Sequence, residues 1–251
     1  MIDEIFPERR ASLDVDALVE RYGRPGAARS AADRPWIRVN FVTTLDGSAT
    51  GDDGRAASIS SATDTVVFDA LRCLADAVLV GAGTVRREGY QGPLVDEGQR
   101  ARRRGLGLAE HPALVIGSRR LDLDPASPLF TEAPVRPRIV TVASAPADAR
   151  AALAPVADLV DCGEDEVEPS RLRAVLADQG WSDVLCEGGP SFFGALAASG
   201  AIDELCLTVE PRLVVGSGPR IAHGLIGDAE LRLAHVLRGD GDELLLRYVR
   251  D

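Results

Sequence analysis

Val184-Leu-Cys-Glu-Gly-Gly-Pro-Ser-Phe-Phe-Gly194, "VLCEGGPSFFG", decides the fold. A short apolar run stops at one carboxylate, crosses two glycines and a proline, and resumes at helical spacing. An apolar run this short that ends in glycine reads as a buried strand. Pro190 suits the first turn of a helix, where its missing N–H is not needed. Val78 to Arg86, "VLVGAGTVR", repeats the arrangement with Gly81, Gly83 and Thr84. In open α/β sheets, ligands bind beyond the carboxyl ends of the strands. Glycine lets backbone approach a ligand closely, and a helix N-terminus offers free N–H groups and partial positive charge. Such turns suit phosphate. One turn alone is an ordinary strand–helix connection. Two in one chain point to a dinucleotide, which has separated phosphates to hold.

Further strands are expected at "WIRVNFVTT", "ALVIGS", "RIVTVAS", "DLVDC" and "ELCLTVEP". Helices are expected from Thr63 to about Ala75, near 146–153 and 169–179, and from Pro190 to Ser199. Asp240-Gly241 is a hairpin signal between two strand-like runs. The order predicts an α/β fold with a mostly parallel central sheet and a C-terminal antiparallel hairpin. Residues 1–33 read as an extension with one helix around Leu13–Tyr22, and 34–251 as a single domain. The arginine-rich run 98–109 reads as a long, solvated loop.

The chain has 251 residues, is 45% hydrophobic, and carries a net charge of −11. That charge argues against nucleic acid, whose binding rests on phosphate neutralisation by Lys and Arg. No apolar run approaches the ~20 residues of a membrane span, and no signal-peptide core is evident. A cytoplasmic protein is expected. The four cysteines and three histidines form no metal-ligand pattern, and no metal is expected. No serine sits in a G-x-S-x-G elbow.

Neither glycine turn is a Rossmann fingerprint or a P-loop. Three carboxylates fall near strand ends: Asp46 in "TTLDGS", Glu88, and Glu187. Each could bond a heterocycle N–H or relay a proton. Each also has a plainer reading: a turn for Asp46, a surface charge for Glu88, a helix cap for Glu187.

Four motifs, "WIRVNFVTTLDGSAT", "LRCLADAVLVGAGTV", "LCEGGPSFFGAL" and "IDELCLTVEPRLVVGSG", occur in the order seen in the pyrimidine reductase domain of riboflavin biosynthesis. The resemblance runs from about Arg34 to Arg250. It implies a dihydrofolate-reductase-like three-layer sandwich, NADPH as cofactor, a homodimer, and a small-molecule pyrimidine or pterin substrate. By motif, Gly81, Gly83 and Thr84 resemble the first cofactor turn. Glu187, Gly188, Gly189, Pro190 and Ser191 resemble the second. Ser118 and Arg119 fall where such folds meet the adenosine 2′-phosphate, and Asp46 matches the substrate-side aspartate. The family typically has lysine at Asn40 and reads "DNPxLTxR" where this chain has "EGYQGPLV". Glu88 thus replaces an aspartate, and the closing arginine is missing. The implied activity is that of a 5-amino-6-(5-phosphoribosylamino)uracil reductase. A dihydrofolate or dihydropterin reductase is the alternative, and a non-catalytic nucleotide-binding protein a further one.

Overall fold

Residues Ala77–Val80 are completely buried, which only a central strand covered on both faces achieves. The computed structural model describes residues 1–23, 34–224 and 227–250. In chain order its strands are β1 (Ile2–Phe6), β2 (Trp36–Thr44), β3 (Ala77–Gly81), β4 (Ala113–Gly117), β5 (Arg138–Thr141), β6 (Asp158–Asp161), β7 (Asp183–Cys186), β8 (Glu204–Glu210), β9 (Arg232–Gly239) and β10 (Leu244–Val249). Its helices are α1 (Val15–Tyr22), α2 (Ala62–Leu74), α3 (Ala82–Glu88), α4 (Glu97–Gly105), α5 (Pro128–Thr131), α6 (Ala147–Leu153), α7 (Pro169–Asp178) and α8 (Pro190–Ala198).

The strands form one sheet in the order β1-β9-β10-β8-β2-β7-β3-β4-β5-β6. From β8 to β6 every pairing is parallel, and β8-β10-β9-β1 is antiparallel. The Asp240-Gly241 hairpin joins β9 to β10 as the sequence predicts. Alternation along the strands splits the core. Leu79, Val184 and Cys186 pack in one apolar cluster with Leu172 of α7 and Leu196 of α8. Val78 and Val80 pack in a second, with Val85 of α3 and Leu153 of α6. Leu185 joins a third, with α1 and α2. Helices therefore cover both faces, giving the three-layer, mostly parallel sandwich that the resemblance implies.

Two local readings differ from the sequence. Helix α2 is capped by Ser61, whose hydroxyl accepts from the Asp64 N–H, and not by Thr63. The run 98–109 is largely the helix α4, opened by a capping box between Asp96 and Gln99. Arginine is a good helix former, and the absence of an apolar stripe hid the helix. Its Arg103 is fully buried and donates to the carbonyls of Arg72, Cys73 and Ala75, closing the C-terminal end of α2.

At the other end, β1 extends the sheet beside β9, and Leu18, Val19 and Tyr22 of α1 are buried. Of the stretch 1–33, residues 24–33 lie outside the described residues. Among the described residues no helix is long and apolar enough to cross a membrane.

Candidate functional site

Strands β2, β7, β3 and β4 run parallel, so their carboxyl ends share one edge of the sheet. There β3 passes directly into α3 with Gly81 as N-cap, and β7 reaches α8 through Glu187, Gly188 and Gly189. The two turns touch: the Gly81 N–H donates to the Gly188 carbonyl at 2.7 Å. A Cβ on Gly189 would lie 2.5 Å from Thr84 Oγ1, and one on Gly188 would lie 2.8 Å from the Phe41 ring. Gly188 also has φ +84°, a left-handed conformation that favours glycine. The glycines are there because the turns pack against each other.

Two cavities open along this edge. The first, about 760 Å³, is lined by Gly81, Gly83, Thr84, Ser118, Arg119, Gly189, Pro190 and Ser191, all marked by the sequence reading. At Gly83 an added Cβ would meet nothing within 4 Å, so the backbone there is open to a ligand. Helix α8 presents its N-terminus on the same side, without a side-chain cap. Arg86, Arg87, Arg119 and Arg120 supply positive charge. Arg86 pairs with Asp122, and Arg119 with Glu166, but all four side chains are about half exposed or more. Exposed pairs of this kind contribute about 1 kcal/mol or less, so a phosphate can displace the carboxylates. Glycine turns, an open helix end and exchangeable arginines fit a dinucleotide. His223, to which no role was assigned from sequence, lines this cavity with Nε2 3.4 Å from Ser191 Oγ.

The second cavity, about 450 Å³, has Asn40, Glu88 and Glu187 in its lining, together with Asp64, Arg72 and Tyr90. It shares Thr50, Thr84, Arg87, Gly189 and Pro190 with the first, so the two are continuous. Glu187 is buried and paired with Arg72 through two hydrogen bonds of 2.7 and 2.8 Å, and it accepts a third from the Tyr90 hydroxyl. Burial opposes the charge on Arg72, but the Glu187 carboxylate more than offsets this and holds the guanidinium firmly protonated. Burial, reinforced by Glu187, raises the Tyr90 hydroxyl well above its ordinary range. The Arg72 guanidinium also lies over the Phe68 ring at 4.3 Å, fixing an aromatic wall.

Glu88 accepts from the Ala56 N–H at 3.0 Å and faces Arg55 at 3.9 Å, so it ties the 51–59 loop to α3. Asp46 lines neither cavity. It is exposed, accepts from the Thr44 hydroxyl and the Val214 N–H, and is held below its ordinary pKa chiefly by that hydroxyl.

Asp64 is the residue that the sequence reading passed over. It lies in the first turn of α2, is 6% exposed, and lines the second cavity. Its Oδ2 accepts from the Ser60 hydroxyl at 2.6 Å, and Oδ1 has no partner. Burial raises its pKa against the pull of Ser60 and Thr208. The signal was faint: one aspartate at the third position of a helix is ordinary helix chemistry.

This three-layer, mostly parallel sheet with a double cavity at its strand ends defines an α/β protein of the open-sheet kind. Residues 35–245 match the model of the RibD C-terminal domain, and the chain belongs to that family. It is 26% identical over 219 residues to the 2,5-diamino-6-ribosylamino-4(3H)-pyrimidinone 5′-phosphate reductase of Archaeoglobus fulgidus, covering 86% of this chain and all of that one. It is 29% identical over 182 residues to the riboflavin biosynthesis protein RibD of Mycobacterium tuberculosis, covering 72% of this chain but only 44% of that protein. A pyrimidine reductase-like protein from Corynebacterium diphtheriae shares the fold, with TM-score 0.83, 24% identity, and coverage of 95% of this chain and all of that one.

Proposed function

We propose that this chain is an NADPH-dependent reductase of a ribosylaminopyrimidine phosphate. The observation that carries the reading is the continuity of the two cavities across Thr50, Thr84, Gly189 and Pro190. A dinucleotide laid along the first cavity brings its reactive end to the mouth of the second. When bound, NADPH supplies a hydride to an electrophilic carbon, here C1′ of the ring-opened ribosylamine C=N.

The residues then divide by cavity. Gly81, Gly83 and Thr84, with Gly188, Gly189, Pro190 and Ser191, shape the pyrophosphate cradle. Ser118 and Arg119, at the end of β4, take the adenosine 2′-phosphate, which is the basis for NADPH over NADH. Asn40 and Glu88 line the substrate side. Glu187 acts through Arg72 and Tyr90, keeping the pocket wall in place through the three hydrogen bonds that it accepts. Asp46 is a positioning residue that holds the Val214 segment to the end of β2. Arg87, which lines both cavities, is the cation placed to take a substrate phosphate in the absence of the family's lysine at position 40.

The names of the relatives support the reaction class, and a cytoplasmic location goes with that reading. Leu45, Leu213 and Val215 are exposed on adjoining segments, which supports a homodimer closed over this patch. The test is loss of NADPH absorbance on addition of the ribosylaminopyrimidine phosphates to purified protein. Turnover with NADPH well above that with NADH is expected, and an Arg119→Ala variant should narrow the difference about tenfold. NADPH binding without turnover on any pyrimidine or dihydropterin would leave only a nucleotide-binding protein.

A further inference from the structure

A third cavity, about 400 Å³, opens between the N-terminal turn of α2 and the β9–β10 hairpin, and it shares no lining residue with the other two. Met1, Ile2, Ala62 and Val66 give it apolar walls, while Glu210, Asp240 and Glu243 bring three carboxylates. Glu243 is 2% exposed, and its Oε2 has no partner in the protein. Its Oε1 has only the Ser61 hydroxyl, at 3.5 Å. The hairpin is built around this carboxylate. A Cβ on Gly239 would lie 2.0 Å from Oε1, and one on Gly241 would lie 2.7 Å from Oε2. Glu210 is also buried and accepts from the Ser61 N–H at 3.0 Å. Burial raises the Glu210 pKa against hydrogen bonds from Ser61, and the like charges of Asp64 and Glu243 add to the rise.

The protein supplies little to balance this charge. The chain contains no lysine. Among the described residues no arginine pairs with Glu210 or Glu243, and the amino terminus at the rim is held by Asp240. The start of α2 offers about half a unit of positive charge, short of two carboxylates. A buried acceptor or charge without a partner is costly, and most such groups are satisfied by something.

We propose that this cavity binds a small aliphatic primary amine, as its ammonium ion, between Glu210 and Glu243. The proposal does not depend on the reductase reading. An ammonium group carries three donors and no acceptor, which matches two carboxylates that lack donors. Its methylene tail packs on Ile2 and Val66. The volume lies within the range of small-molecule sites. A bare metal ion fits less well, because among the described residues no three His, Cys, Asp or Glu side chains are grouped to hold one.

The test titrates n-butylamine and 1,4-diaminobutane into the whole protein by calorimetry at about pH 8, where amines keep their proton and carboxyls ordinarily lose theirs. Ionic strength is held constant, so that general screening does not vary. Potassium chloride and tetramethylammonium chloride serve as controls, since neither cation has an N–H to donate. Saturable binding of the amines is expected, with a rise in the thermal midpoint as ligand accumulates. Tetramethylammonium should bind at least about tenfold more weakly, because a site that bonds an N–H rejects the analogue lacking it. Glu243→Gln and Glu210→Gln should each weaken amine binding about tenfold or more. Far-UV circular dichroism checks that each variant is folded, and either variant alone suffices if the other is not. Absence of saturable amine binding overturns the proposal. So does equal binding of potassium or tetramethylammonium, or undiminished amine binding by a folded variant.

Discussion

Between Glu187 and Arg72 lie 115 positions of sequence and, in the folded chain, 2.7 Å. The glycine turn after Glu187 was legible from local sequence because glycines at a strand end have a physical meaning of their own. The partner was not, because a single arginine in the last turn of α2 looks like any other. Side-chain exposures of 14% for Arg72 and 3% for Glu187 make this a buried pair. Removing one member of such a pair strands the other without compensation and costs about 3–5 kcal/mol, whereas replacing both with apolar residues can be close to neutral. Glu187→Ala should therefore lower the unfolding free energy by about 3 kcal/mol, read from the urea midpoint at constant slope. The double change Arg72→Met with Glu187→Leu should recover most of that loss, yet leave the KM for substrate raised, because Tyr90 and Phe68 lose their anchor. A double variant less stable than Glu187→Ala would contradict this account.

The elements differ in how openly the sequence displays them. Strands β3, β4 and β7 and helix α8 were readable because an apolar run followed by a glycine turn leaves few alternatives. Helix α4 was not, because five of its nine residues are charged and no apolar stripe marks it. What fixes α4 is the capping box at Asp96 and Gln99, and what it contributes is Arg103. The last carbonyls of a helix have no partner inside it, and here one guanidinium from another helix satisfies those at the end of α2. Arg103→Met keeps most of the side chain's volume and removes its donors. A loss of about 2–4 kcal/mol is expected, from several buried carbonyls left without donors. Hydrogen exchange should accelerate first at the C-terminal turn of α2. If exchange quickens evenly over the whole sheet instead, the capping role is wrong.

Across the whole molecule, the antiparallel half of the sheet is held by buried charge. Glu204 is completely buried between Arg38 and Arg247, and those two arginines also donate to the carbonyls of Tyr22 and Arg21 at the end of α1. Burial alone would raise the Glu204 pKa, but the two guanidinium groups hold it down to about 2. His235, 1% exposed and edge-on to the Tyr22 ring at 4.7 Å, is pushed by burial from 6.5 down to about 3, with Arg247 and Arg21 adding to the effect. Between those two values the unfolded chain binds a proton that the folded chain refuses, so stability falls as the pH falls from 6.5 towards 3. The slope is at most about 1.4 kcal/mol per pH unit. Glu204 adds a second loss below about its ordinary 4.5, as its folded carboxylate approaches protonation. His235→Phe removes the titrating group while keeping a ring against Tyr22. Its thermal midpoint should stay level between about pH 6.5 and pH 5, where that of the wild-type protein declines. Parallel declines in both proteins would assign the acid sensitivity to other groups.

The order of strands in the sheet also governs the order in which the chain can fold. Strand β2 lies between β7 and β8, and β1 is completed only by β9. During synthesis β2 therefore waits without its hydrogen-bonded neighbours for on the order of ten seconds, at typical elongation rates. Few early contacts can reward its ordering, because nearly all of its pairing is remote in sequence. A nascent chain of this topology displays a nine-residue β segment, rich in valine and threonine, as an open edge until the C-terminal third emerges. Recovery from denaturant should accordingly depend on protein concentration well before native stability becomes limiting.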